Sequence, residues 1–152
     1  MLLDKQNIFS DVLLSSITAA STTLSDVIDL LGGGTAQSDT FGGALSDITP
    51  NLADLDIVAI ITDAAAAGGT SLQLQLVTGA TSGAVTTVVH TTAAILTAAL
   101  VPGYRFGIEI PRGFPMQRWI GVNRIQAGTA FTGVGRLMLA VVPRGGQQTA
   151  QA

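Results

Sequence analysis

Two stretches of strict two-residue alternation restrict what this chain can fold into. Over residues 71–78, Leu72, Leu74 and Leu76 fall on one face and Gln73 and Gln75 on the other. Over residues 105–110, Phe106, Ile108 and Ile110 alternate with Arg105, Gly107 and Glu109. Successive side chains of an extended backbone point to opposite faces, so each stretch reads as a strand with one face in a core and one in solvent. Pro111 cannot donate to a sheet ladder and ends the second strand, and Arg112-Gly113-Phe114-Pro115 turns the chain. Residues 117–125, with the only tryptophan at Trp119, then read as a strand paired back onto 105–110.

The remaining pattern extends this to the whole chain. Residues 9–18 and 24–31 read as the first strands; the Thr, Ser, Ile and Val content of 11–31 weakens a helical reading. The Gly-, Ser-, Thr- and Asp-rich run 32–51 reads as a long surface loop. Short strands are expected at 56–63, 85–92 and 136–142, with turns at 64–70 (through Gly68-Gly69) and 79–83. About eight strands at this spacing, with no helix-period segment to make crossovers, predict an all-β antiparallel β-sandwich of jelly-roll type. Its core is expected to hold Leu72, Leu74, Leu76, Phe106, Ile108, Ile110, Trp119 or Ile120, Leu137, Leu139 and Val141. One domain spans 1–146, with an extended N-terminal arm over 1–9 and a disordered tail over 147–152.

Charge is scarce and segregated. Of 152 residues only 11% are charged, less than half of what a globular chain usually carries, which points to assembly, with a neutral Thr-rich β surface that is soluble as it stands as the alternative. Residues 1–63 hold all nine Asp against the single Lys5, a balance of −8. Residues 64–104 hold no Asp, Glu, Lys or Arg, and 105–152 hold six Arg and Glu109, a balance of +5. The arginines are dispersed rather than clustered, so no specific nucleic-acid site is expected. Pairing between the acidic and basic halves, within a subunit or across subunits, fits better.

The chemistry of a catalyst is missing from this pattern. His90 is the only histidine and has no readable nucleophile beside it. Gly79-Ala80-Thr81-Ser82-Gly83 lacks the following helix of a nucleophile elbow and reads as a hairpin turn. Gly32-Gly33-Gly34-Thr35 lacks the lysine of a phosphate loop. Asp39, Asp47, Asp54, Asp56 and Asp63 form no compact calcium loop and read as solvated, with a site built from two loops as the alternative. A glycoside hydrolase needs two facing carboxylates, and Glu109 is the only Glu. No enzyme activity, cofactor or metal is expected. The start of the chain places charge where a signal peptide needs an apolar run, and the apolar run near 93–101 is too short to span a bilayer.

Several of these segments resemble one family. Met1-Leu2-Leu3-Asp4-Lys5-Gln6-Asn7-Ile8-Phe9-Ser10-Asp11, Val27-Ile28-Asp29-Leu30, Gly103-Tyr104-Arg105-Phe106, Ile110-Pro111-Arg112-Gly113 and Arg118-Trp119-Ile120-Gly121-Val122-Asn123 are similar to blocks in jelly-roll capsid cement (decoration) proteins of tailed bacteriophages. The run 32–51 and Ala64–Ala67 fit less well. The resemblance implies a structural role on the outer surface of a capsid, bridging neighbouring major capsid protein subunits as a homo-oligomer, dimer or trimer. Such a protein is made in the host cytoplasm and ends in the virion. The expected contact residues are Leu3, Asp4, Lys5 and Phe9 in the arm, then Arg112, Phe114 and Arg118 in the turn. For the turn a second reading stands beside it, in which the arginines brace their own hairpin and Phe114 packs locally. The alternative function is a carbohydrate- or receptor-binding jelly-roll module of a virion.

Overall fold

The computed structural model describes residues 8–18, 22–25, 27–29, 55–111 and 116–143. The strands in chain order are β1 (Ile8–Leu13), β2 (Thr22–Leu24), β3 (Ile28–Asp29), β4 (Leu55–Thr62), β5 (Ala67–Gly68) and β6 (Ser71–Gly79). They continue with β7 (Thr87–Thr91), β8 (Ile95–Leu96), β9 (Arg105–Glu109), β10 (Trp119–Ala127), β11 (Phe131–Thr132) and β12 (Arg136–Pro143). One sheet has the order β1-β12-β4-β9 and the other β2-β10-β6-β7, with β3 extending β2 along β10 and β8 extending β7 along β6. Taking β2 with β3 and β7 with β8, the two large sheets hold eight of the ten strands among the described residues, paired first with last, second with seventh, third with sixth and fourth with fifth, while β5 and β11 form a separate two-stranded ladder. All these pairings are antiparallel. That is the wrapping of a jelly roll.

The two sheets bury their facing sides against each other. Ile57, Ala59, Ile61, Ile108, Leu137 and Leu139 from one sheet meet Leu72, Leu74, Leu76, Ile120 and Val122 from the other, all 2% exposed or less. Burying each large side chain stabilises by roughly 1.5–3 kcal/mol. The alternation of 71–78 and 105–110 therefore reports the core face correctly; Phe106 packs half-buried against the core, Val141 is half-buried, and of Trp119 and Ile120 it is Ile120 that enters the core, with Trp119 on the outer face of β10.

Several local readings are corrected. The strand expected over 9–18 ends at Leu13, and Leu14–Ser16 form a 3₁₀ turn. Leu14 and Ile17 are both buried; a strand would send residues three apart to opposite faces, whereas a 3₁₀ turn sets them on one side. The strand expected over 24–31 is broken at Ser25. There the Ser25 N–H donates to the Val122 carbonyl and the Ser25 hydroxyl accepts the Val122 N–H, both at 2.9 Å. Residues 64–70 are more than a turn, because β5 pairs with β11. Gly69 has φ +61°, and a Cβ there would lie 2.7 Å from the ring of buried Phe131, so glycine is needed on both counts. The strand expected over 85–92 begins at Thr87, since Val85 turns inward and is 3% exposed.

The largest correction concerns residues 104–123. β9 and β10 are not paired: β9 is the edge of one sheet beside β4, and β10 is central in the other between β2 and β6. The connection between them crosses from sheet to sheet, so residues 111–118 are not the turn of a hairpin, and a hairpin brace is not a role for Arg112 or Arg118.

Candidate functional site

The register of the ladders places together the strand ends that flank the expected contact segments. Ile8 pairs with Ala140, Pro143 with Leu55, Asp56 with Glu109, and Trp119 with both Gly79 and Asp29. These residues stand at one end of the sandwich. The chain therefore enters β1, leaves β3, enters β4, leaves β9, enters β10 and leaves β12 at that same end. The 80–86 hairpin between β6 and β7 is also there.

Of the expected contact residues, Leu3, Asp4, Lys5, Arg112 and Phe114 lie outside the described residues, as do the tail 147–152 and the long run 32–51. Phe9 does not belong to an arm. It lies in β1 at an irregularity in the ladder, between Ile8 opposite Ala140 and Ser10 opposite Leu139. Sheet pairing thus begins at Ile8, one residue before the strand expected over 9–18 and inside the arm expected over 1–9.

Arg118 is exposed and sits 5.4 Å from the centroid of the Trp119 ring. Cation–π contact of this kind draws the guanidinium over the indole. Its backbone is fixed from below by Thr78, which is 1% exposed. The Thr78 hydroxyl donates to the Trp119 carbonyl at 2.9 Å and accepts the Gln117 N–H at 2.9 Å. One hydroxyl therefore clamps the residues on either side of Arg118. Gly79 next to it is packed closely by the hairpin: a Cβ would contact the Ala84 carbonyl oxygen and come within 2.6 Å of the Val85 Cα. Thr78 and Val85 are parts of this end that strand periodicity did not single out. The visible signal was the break in alternation after Leu76, where Val77, Thr78 and Gly79 are all buried.

Among the described residues, the four-stranded sheet carries two carboxylates at this end. Asp56 and Glu109 are cross-strand neighbours on its outer face. Toward the opposite end Arg136 pairs with Asp11 at 2.9 Å and lies 3.8 Å from Asp63. The hydrogen bond and charge of Asp11, helped by Asp63, raise the Arg136 pKa above its ordinary value. This joins the acidic first part of the chain to the basic last part within one subunit. On the outer face of the six-stranded sheet the Asn123 amide donates to Gln75 Oε1 at 3.1 Å and the Gln75 amide donates to Thr91 Oγ1 at 3.2 Å, an uncharged row across three strands.

His90 lies half-buried in β7, opposite Leu76. Among the described residues no group of three or more His, Cys, Asp or Glu could hold a metal ion. Among them, too, no helix is long and apolar enough to cross a membrane.

A family model, Bbp16, matches residues 9–138. This chain belongs to the Bbp16 family. The Bbp16 match begins in β1 and ends in β12, so it reaches from the first strand to the last and leaves residues 1–8 and 139–152 outside it. No curated protein matches the chain.

Proposed function

We propose that this Bbp16-family chain is a capsid decoration protein that cements neighbouring major capsid protein subunits on the outside of a tailed-phage shell. The observation that carries this reading is the gathering of chain segments at one end of the jelly roll. The entry of the N-terminal segment, the 109–119 connection and the clamped Arg118–Trp119 pair share that end, and short blocks from each resemble cement proteins. A docking protein needs several separate segments that meet a partner together on a rigid support. Each contact then raises the effective concentration of the next, and binding the assembled shell better than free subunits shifts the balance toward the shell.

Co-sedimentation with empty shells of the encoding phage's major capsid protein tests the reading. Full-length protein is expected to pellet with shells at saturating occupancy. Removal of residues 1–7 is expected to abolish this, and Arg118→Glu to weaken it about tenfold or more. Protein that stays in the supernatant sinks the cement reading; full occupancy by the truncated form sinks the role of the arm alone.

The row of Asn123, Gln75 and Thr91 favours a second reading, a glycan-binding module, because amides and hydroxyls are the groups that recognise sugars. Saturable binding of free protein to a glycan array, lost in Gln75→Ala, would favour it over shell binding.

A further inference from the structure

β9 is an edge strand, paired on one side with β4 and, among the described residues, with no strand on the other. The Ile61 N–H donates to the Tyr104 carbonyl. Alternation from that bond turns the backbone groups of Phe106 and Ile108 toward β4 and those of Arg105, Gly107 and Glu109 toward the open side. Natural sheets guard such an edge with proline, bulges or charges that clash with an incoming strand. The sequence of β9, Arg-Phe-Gly-Ile-Glu, does not clash with itself. Read antiparallel about Gly107, it sets Arg105 opposite Glu109 and Phe106 opposite Ile108.

We propose that two copies of this chain associate through β9, antiparallel across a two-fold axis at Gly107, joining their four-stranded sheets into one. In this register the open N–H and C=O groups of Arg105, Gly107 and Glu109 meet their counterparts as hydrogen-bonded pairs. On the outer face, exposed Arg105 meets the second copy's Glu109 twice. On the inner side, half-buried Phe106 gains an apolar neighbour. Gly107 leaves the axis open: a Cβ there would meet nothing nearer than the Ile57 carbonyl at 3.9 Å. The adjacent edge strand β7 carries no Asp, Glu, Lys or Arg to oppose the approach. The other edge of this sheet, β1, lacks this complementarity, as its one charge, Asp11, is taken by Arg136.

This interface stands whether or not the protein decorates a capsid, because it is measured on the free protein. Sedimentation velocity of the full chain over a range of concentrations is expected to show a monomer–dimer equilibrium. Arg105→Glu and Glu109→Arg each create like-charge pairs and are expected to raise the dissociation constant about tenfold or more. The double exchange R105E/E109R is expected to restore it. Gly107→Asp, which sets two carboxylates on the axis, is expected to match the single variants. Both charged side chains are exposed, and circular dichroism confirms that each variant folds. A wild-type monomer at all concentrations, single variants that associate as wild type does, or a double exchange as weak as the singles would each overturn the proposal.

Discussion

Thr78 is a small residue with a disproportionate effect on the docking end, because its buried hydroxyl is the shared partner of two backbone groups. Thr78→Val keeps the shape and leaves the Gln117 N–H and the Trp119 carbonyl without that partner. A cost of about 1–3 kcal/mol is expected, read as a melting temperature lower by roughly 2–4 °C per kcal/mol. Trp119 emission, the only tryptophan signal, is expected to shift as the Arg118–Trp119 segment loosens. Unchanged stability and emission would mean that the clamp is not what holds that segment. Arg136 behaves differently. Its partners Asp11 and Asp63 are about half exposed, at 47% and 56%. Exposed pairs contribute little and are screened. Arg136→Gln is expected to lower the melting temperature slightly in dilute buffer, with wild type and variant converging in about 0.5 M salt. A large deficit that persists in salt would assign Arg136 a packing role instead.

At the level of elements, strand identity was legible in the sequence and strand partnership was not. The alternation of Leu72, Leu74 and Leu76, and of Phe106, Ile108 and Ile110, reports a local property, the direction of each side chain. Whether residues 105–109 pair with 119–127 depends on which distant strands compete for them, and β4 and β6 win. A strand followed closely by a turn and another strand looks like a hairpin whether the chain stays in its sheet or crosses to the next. β10 also hides its own pattern, since its inner face continues from Ile120 and Val122 into buried Arg124 and Gln126. The Arg124 guanidinium reaches the Leu24 carbonyl at 2.7 Å, a partner 100 residues away that periodicity cannot reveal. Of the candidate site, the 118–119 pair and the entry of the chain at β1 were visible as motifs, whereas Thr78 was not, because its partners are distant in sequence. The reassignment of Phe9 to β1 sets a boundary for truncation. Removing residues 1–7 leaves all of β1 and is expected to leave the melting temperature unchanged. Removing 1–13 strips the edge from β12, and with it the pairing from Ile8–Ala140 to Leu13–Arg136. That form is expected to melt well below the full chain or aggregate through the bared edge. Equal stability of the two truncations would contradict the place of β1 in the sheet.

For the whole molecule, the jelly-roll wrapping brings the start and end of the sandwich side by side, with β1 on β12 and Ile8 opposite Ala140. The folded body therefore does not depend on where the chain is cut, provided the cut falls in an exposed loop. The 80–86 hairpin offers one: Thr81, Ser82 and Gly83 are exposed, and nothing lies within 4 Å of a Cβ at Gly83. A circular permutant opened between Ser82 and Gly83, with residue 152 joined to residue 1, separates the needs of folding from those of docking. Its strands and their partners are unchanged, so a native far-UV spectrum and a melting temperature within a few degrees of the parent are expected. Its N-terminal segment is tied at both ends and loses the reach of a free arm. If the arm cements the shell by extending to a neighbouring subunit, the folded permutant fails to co-sediment with shells. If it binds as the parent does, the contact is made by the fixed end of the sandwich, around Arg118 and Trp119, and the arm has no part in it.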